Sequence, residues 1–291
     1  MRLSTRLAVL VLGVALHSAA SAAAPAKNTL WSIDGRTNKV YLLGSMHMLR
    51  SSDALPAAVD AAYAEAESLL MEIDMDNLDP MASQKIAMDL GMLPEEKSLQ
   101  GELDAASYAK VAAYAREVGL EQRILNRFRP WFAAMTLTQL NLIKIGFDVN
   151  SGVEMRLTAR AAADGKEIGG LETLDEQLGL LAALPAAQQR EFLLYSVEDS
   201  ARAREEIDKM VGAWRKGDVA ALSALLSEGF EKYPQLYRPL TVERNRKWIG
   251  RIEGLLDDKD DYLVVVGALH LVGSDSVVEL LQKKGYKVTQ Q

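Results

Sequence analysis

Two residues have the type and spacing of metal ligands. His47 and His270 sit far apart in the chain but in the same frame, a glycine, two residues and then an imidazole. The frames read Leu42-Leu43-Gly44-Ser45-Met46-His47 and Val265-Val266-Gly267-Ala268-Leu269-His270. Imidazole is the commonest protein metal ligand. The glycine lets the backbone turn sharply or lets a ligand come close. One such frame would read as an ordinary structural or surface histidine. Two of them, using every histidine except His17 near the N-terminus, read as one shared site if their strands are neighbours.

Two neutral imidazoles bind a divalent ion weakly, so carboxylates are expected nearby. Glu72 lies in Leu69-Leu70-Met71-Glu72-Ile73-Asp74-Met75, where its charge is costly unless paired or coordinated. A strand-end salt bridge is the alternative reading. Asp74 has the same facing but lies nearer the loop. Glu154 follows Gly152-Val153 at an expected helix start, where an acid can also simply suit the helix dipole. Glu172 ends a short candidate strand and could support the site. Arg244-Asn245 adds a fork of donors that could hold a substrate carboxylate or carbonyl. From the sequence alone, a basic turn on a solvated helix is the stronger reading of that pair. The chain has no cysteine, which removes thiolate as nucleophile or ligand. Gly-x-Ser-x-Gly, P-loop, Gly-x-Gly-x-x-Gly and His-Glu-x-x-His motifs are absent as well.

The elements that must position these residues fall into a pattern. β signals cluster at the two ends of the chain. Leu30–Ile33 and Lys39–Leu43 flank a polar turn and predict a hairpin, and Ser68–Met75 predicts a strand after a helix from Pro56 to Glu67. Tyr262–Val266 is a nearly continuous apolar run, as for a strand covered on both faces. A helix over Asp275–Lys284 then leads through Gly285 to a last strand at Tyr286–Thr289. The middle is mainly helical by its apolar spacing, over Ala105–Val118, Pro130–Ile145, Val153–Ala163, Leu174–Leu184 and Pro185–Lys216, with a short strand at Lys166–Leu171. Gly119, Gly146 and Gly165 stand where helices like to end. The expectation is one α/β domain over residues 23–291. Strands from both chain ends form a mixed sheet with helices on both faces, and residues 80–227 are a mainly helical insertion.

The N-terminus reads as a signal peptide over residues 1–22. Arg2 and Arg6 precede an apolar core at Leu7–Leu16 of about ten residues, and Ala20-Ser21-Ala22 offers the cleavage site. That core is short for about 30 Å of hydrocarbon. The chain carries a net charge of −7, and removal of two arginines with the leader would make it two units more negative. An acidic surface argues against nucleic acid or an anionic membrane as partner, and no stable membrane insertion is expected. These features predict a soluble periplasmic or secreted protein.

Taken together, Leu43-Gly44-Ser45-Met46-His47, Glu72-Ile73-Asp74, Leu171-Glu172-Thr173, Glu243-Arg244-Asn245 and Val266 to Gly273 resemble the TraB/PrgY/GumN family, its GumN-like bacterial branch most closely. The Tiki metalloproteases belong to the same group. The resemblance runs from Leu30 to Val288 and implies an α/β fold of the erythromycin-esterase and ChaN-like kind. It also implies a divalent-metal hydrolase. The family histidines fall on His47 and His270, the strand glutamate on Glu72, the acid after the helical middle on Glu154 and the Arg-Asn pair on Arg244 and Asn245. The expected reaction is hydrolysis of a peptide bond. Mn²⁺, Co²⁺ or Zn²⁺ would be held by His47, His270 and one or both of Glu72 and Glu154. A glutamate would serve as base, and Arg244 would steady the oxyanion. The alternatives are a non-catalytic haem-, metal- or peptide-binding protein, or an interaction protein of envelope or polysaccharide assembly.

Overall fold

The computed structural model describes residues 27–231 and 234–291. The expected signal peptide and His17 within it lie outside the described residues. Alternating apolar residues form β1 (Leu30–Asp34) and β2 (Lys39–Ser45), an antiparallel hairpin closed by a Gly35 N–H to Asn38 carbonyl bond of 2.8 Å. Helix α1 (Ala57–Glu65) then leads into β3 (Ser68–Ile73). After β3 come α2 (Pro80–Gly91), α3 (Leu99–Glu102), α4 (Ala105–Glu117), α5 (Gln122–Leu125), α6 (Pro130–Lys144) and α7 (Val153–Asp164). Strand β4 (Ile168–Glu172) is followed by α8 (Leu174–Ala182), α9 (Ala186–Glu198), α10 (Ala203–Arg215), α11 (Val219–Glu231), α12 (Pro234–Tyr237) and α13 (Glu243–Leu256). The chain ends with β5 (Tyr262–Gly267), α14 (Val277–Lys283) and β6 (Val288–Gln290).

The sheet order is β4-β3-β5-β2-β1-β6. Strands β4, β3, β5 and β2 run parallel, while β1 is antiparallel to both β2 and β6, so the sheet is mixed as expected. Strand β5 occupies the middle, and Leu263 to Val266 are each 0% exposed. A strand buried on both sides needs a layer on each face, which the helices supply. Leu157 of α7, Trp248 and Ile252 of α13 and Leu281 of α14 share its core. Helices α3, α4, α5, α6 and α9 gather a separate core around Leu99, Val111, Leu125, Leu137 and Leu193.

The expected helix ends at Gly119, Gly146 and Gly165 hold, each with φ between 70° and 95°. The expected continuous helix over Pro185–Lys216 does not. It divides into α9, a 3₁₀ turn at Asp199–Arg202 and α10. At the break the Ser200 hydroxyl donates to the Val197 carbonyl at 2.6 Å. Such a local bond offers the backbone an alternative to the helical ladder.

One register matters for the site. Strands β2 and β5 are adjacent and parallel, with Gly44 opposite Val266 and Ser45 opposite Gly267. The two Gly-x-x-His turns therefore leave the same edge of the sheet side by side. This is the C-terminal edge of the parallel strands, where open α/β sheets place their ligands.

Candidate functional site

The His47 turn is clamped between two helices. Trp214 Nε1 on α10 donates to the Gly44 carbonyl at 2.6 Å, and the Val153 N–H that starts α7 donates to the Met46 carbonyl at 3.0 Å. Behind the imidazole, Glu154 Oε1 accepts from Ser45 Oγ at 2.5 Å and contacts His47 Nδ1 at 2.6 Å. A carboxylate on Nδ1 orients the ring and turns Nε2 toward the site, as the outer partner of a metal-bound histidine does. The same carboxylate raises the pKa of His47 to about 9. Burial pushes the Glu154 carboxyl up, but His47 and Ser45 outweigh it and hold the pKa below its usual value.

His270 is positioned from α13. Its Nδ1 donates to Asn245 Oδ1 at 2.6 Å, and Asn245 is fully buried with its Nδ2 spent on the Asp275 carbonyl at 2.8 Å. Because that amide oxygen can only accept, the proton sits on Nδ1 and Nε2 keeps its lone pair. Burial lowers the His270 pKa to about 4, so the ring is neutral. Trp248, one turn along α13, packs on the imidazole at 4.7 Å between ring centres.

Between the histidines lies a buried ionic network. Arg244 Nη2 donates to Glu72 Oε2 at 2.5 Å and to Glu172 Oε1 at 2.6 Å, and Arg244 Nη1 faces His270 Nε2 at 3.1 Å. Gln177 Nε2 donates to both carboxylates, at 2.9 and 3.0 Å. Burial works against the charge of Arg244, but the two glutamates outweigh it and raise its pKa. Burial likewise pushes Glu72 up, yet His270, Arg244, His47 and the Gly267 N–H (2.7 Å from Oε1) bring it down to about 2.

The structure thus brings together His47, His270, Glu72, Arg244 and Asn245. Glu154 stands behind His47. The Arg-Asn pair is a buried positioning device rather than the solvated basic turn its local sequence favours, because α13 packs this turn onto the sheet edge. Asp74 turns away to cap its own loop through Asn77. Sequence reasoning missed Ser45, Gln177 and Trp248. Ser45 was open to detection as the residue beside Gly44, whereas the other two look like ordinary helix residues.

Gly267 lies at the centre of this arrangement. A Cβ at that position would stand 3.4 Å from Glu72 Oε1 and 3.6 Å from both His47 Nε2 and His270 Cδ2. The missing side chain leaves a cradle between two imidazoles and a carboxylate. Two histidines whose Nδ1 atoms are already engaged, with a carboxylate oxygen beside them, form a mixed nitrogen and oxygen donor set that suits a divalent transition metal. As they stand, no three His, Asp or Glu side chains among the described residues are gathered as a ligand set. Arg244 supplies positive charge at His270 instead. The donor chemistry fits an ion, and seating one would require the guanidinium to give way at His270 Nε2 and His47 to release its Nε2 proton.

His47, His270, Ser45 and Gly267 also line one end of a cleft of about 700 Å³ whose walls are mostly apolar. On the far side of Arg244, a second depression of about 720 Å³ is lined by Glu172, Glu176 and Lys247 among others.

The TraB/PrgY/gumN family model matches residues 29–290. The chain is 24% identical to the uncharacterized protein YbaP of Escherichia coli K12, over 83% of this chain and 87% of that one. It is 22% identical to a metalloprotease TIKI homolog of Nematostella vectensis, over 89% of this chain and 66% of that protein. It is also 22% identical to human metalloprotease TIKI1, over 89% of this chain and 61% of that protein. No solved structure matches.

Proposed function

Because the chain belongs to the TraB/PrgY/gumN family, we propose that it is an exported divalent-metal-dependent hydrolase that cleaves a peptide bond, as the name metalloprotease given to its distant TIKI relatives suggests. The observation that carries this reading is the cradle at Gly267, with His47 Nε2, His270 Cδ2 and Glu72 Oε1 all within 3.6 Å of the position a Cβ would take.

His47 and His270 would hold the ion, with Glu72 as the carboxylate at its side. A bound Mn²⁺, Co²⁺ or Zn²⁺ lowers the pKa of water and polarises a carbonyl. The chain's own residues prepare for this. Glu154 and Asn245 fix the two imidazoles from behind so that both rings face the cradle. Glu72 is ionised and is held in place by the Gly267 N–H and Gln177. Glu72 Oε1 faces the cradle beside both imidazoles, which favours a ligand role over general base for Glu72. Arg244, whose Nη1 contacts His270 Nε2, would be the cation nearest a developing oxyanion once that contact opens.

A second reading rests on Arg244. Its guanidinium already pairs with both Glu72 and Glu172, so a cation stands between the two carboxylates without a metal ion. That arrangement suits a peptide-binding protein without turnover. One set of measurements separates the two readings: metal content, melting temperature and peptide hydrolysis for wild type, His47→Ala, His270→Ala and Arg244→Ala. The hydrolase reading expects each histidine variant to lose metal and turnover while keeping its fold. It also expects Mn²⁺ to restore part of the melting temperature lost in Arg244→Ala, where two buried carboxylates are left without their partner. Unchanged metal content with no turnover in any of the four proteins would refute it.

A further inference from the structure

The cleft beyond the histidines indicates what is presented to them. We propose that it selects an extended peptide with large apolar side chains next to the bond held at the Gly267 cradle. This deepens the hydrolase reading, and the placement of the scissile bond rests on that reading.

The walls carry the argument. Phe132, Met135 and Leu142 lie on one face of α6, and Met210 of α10 with Leu226 and Phe230 of α11 stand among the other walls. These side chains leave about 700 Å³, within the range of sites that enclose a sizeable organic ligand. Methionines among them can re-pack around side chains of different shape, as adaptable binding surfaces do.

An apolar cleft could also take a lipid acyl chain, but two features favour a peptide. First, Thr136, Thr138 and Gln139 of α6 and Thr241 also line the cleft, interleaved with the apolar residues. They offer donors and acceptors that a peptide backbone can use and a hydrocarbon cannot. Second, no Lys or Arg among the described residues lines the cleft, and the cationic ring at its end, His47, is already paired with Glu154 at 2.6 Å, so a fatty-acid carboxylate or lipid phosphate would find no unpaired cation there. The cleft is open to solvent along α6, where Met135 is 45% exposed, and is continuous with His47, whose side chain is 66% exposed. A substrate bound along α6 would therefore reach the cradle without passing through the core.

The test uses the full-length mature protein with two capped pentapeptides, one with a Leu-Phe-Leu centre and one with a Ser-Gly-Ser centre, and sodium laurate as the acyl probe. Calorimetry should show the apolar peptide binding at least about tenfold tighter than the polar one. Met135→Glu should weaken the apolar peptide by about tenfold or more, because it brings a carboxylate into the wall that the apolar side chain covers. Met135→Leu should restore the affinity. His47→Ala should keep the preference in binding while losing hydrolysis. Equal affinities for the two peptides, or no effect of Met135→Glu, overturn the proposal. Laurate that binds tighter than the apolar peptide and displaces it overturns it as well and makes the cleft an acyl site. A retained binding preference with no hydrolysis of either peptide by metal-loaded wild type would refute the hydrolase reading and leave the ligand preference standing.

Discussion

A Cβ built on Gly44 would come within 2.5 Å of Thr29 Cγ2 and 3.0 Å of the Ala268 Cα, whereas one built on Gly267 would meet its neighbours at 3.4 Å or more. The two glycines share a frame in sequence and have different reasons to be glycine. Gly44 allows the two turns to pack against each other, and Gly267 keeps the cradle open. Its φ of −50° and ψ of 135° suit any residue, so Gly267→Ala is a clean probe. It should fold with a melting temperature equal to or slightly above wild type, because alanine lowers the entropy of the unfolded chain. Its methyl group, set between Glu72 and the two imidazoles, should lower peptide hydrolysis by about a hundredfold or more, given how steeply catalysis depends on position. A variant with normal turnover, measured beside its melting curve, would show that the cradle is not where the reaction occurs.

The site depends on how the start of α7 meets the end of β2. Gly152, the residue before α7, lies so close to the His47 turn that an added Cβ would sit 2.1 Å from the His47 carbonyl oxygen. Backbone cannot yield as a flexible side chain does. Gly152→Ala should therefore push the His47 turn away from Glu154 and cost about 1–3 kcal/mol, the usual penalty of overpacking. Chemical denaturation would give the stability change, and the His47 imidazole NMR signals would report the lost Glu154 contact. Helix α13 does the corresponding work for His270. Arg244 and Trp248 are four residues apart and so share one face, and the guanidinium carbon lies 4.7 Å from the indole ring centre. Asn245 beside them is fully buried. One turn of helix thus carries a charge, a hydrogen-bond acceptor for His270 Nδ1 and a packing surface for its ring.

At the scale of the whole molecule, two distant chain segments meet as the central strands β5 and β2, and the site exists only where they lie side by side. Strand β6 closes the far edge beside β1, where the Gln291 N–H reaches the Leu30 carbonyl at 2.8 Å. Among the described residues no helix is long and apolar enough to cross a membrane. The proposed export therefore rests on the first 22 residues of the sequence. Mass spectrometry of protein recovered from the periplasmic fraction should find a chain that begins at or near Ala23. A chain that keeps Met1 and stays with the membrane would overturn the proposed localisation.

The sequence by itself determined the local parts of this protein. The apolar run at Tyr262–Val266, the hairpin around Asp34–Asn38 and the glycine stops after α4, α6 and α7 are encoded by neighbours a few positions apart, and the structure contains them. Two Gly-x-x-His frames after apolar strands already implied a shared site once their strands were parallel neighbours, and Glu72 was marked by the cost of a charge among apolar residues. Only the tertiary structure decided what those residues face. Arg244 meets Glu72 across 172 positions, Glu154 meets His47 across 107, and Gln177 meets Glu72 across 105. Such contacts follow from how the helices cross back over the sheet, and no periodicity of 2 or 3.6 residues encodes that packing. The apolar cleft is decided in the same way. Its wall residues on α6 and α10 fall in stretches of helical apolar spacing, and only where the helices stop short of one another do those side chains face open space.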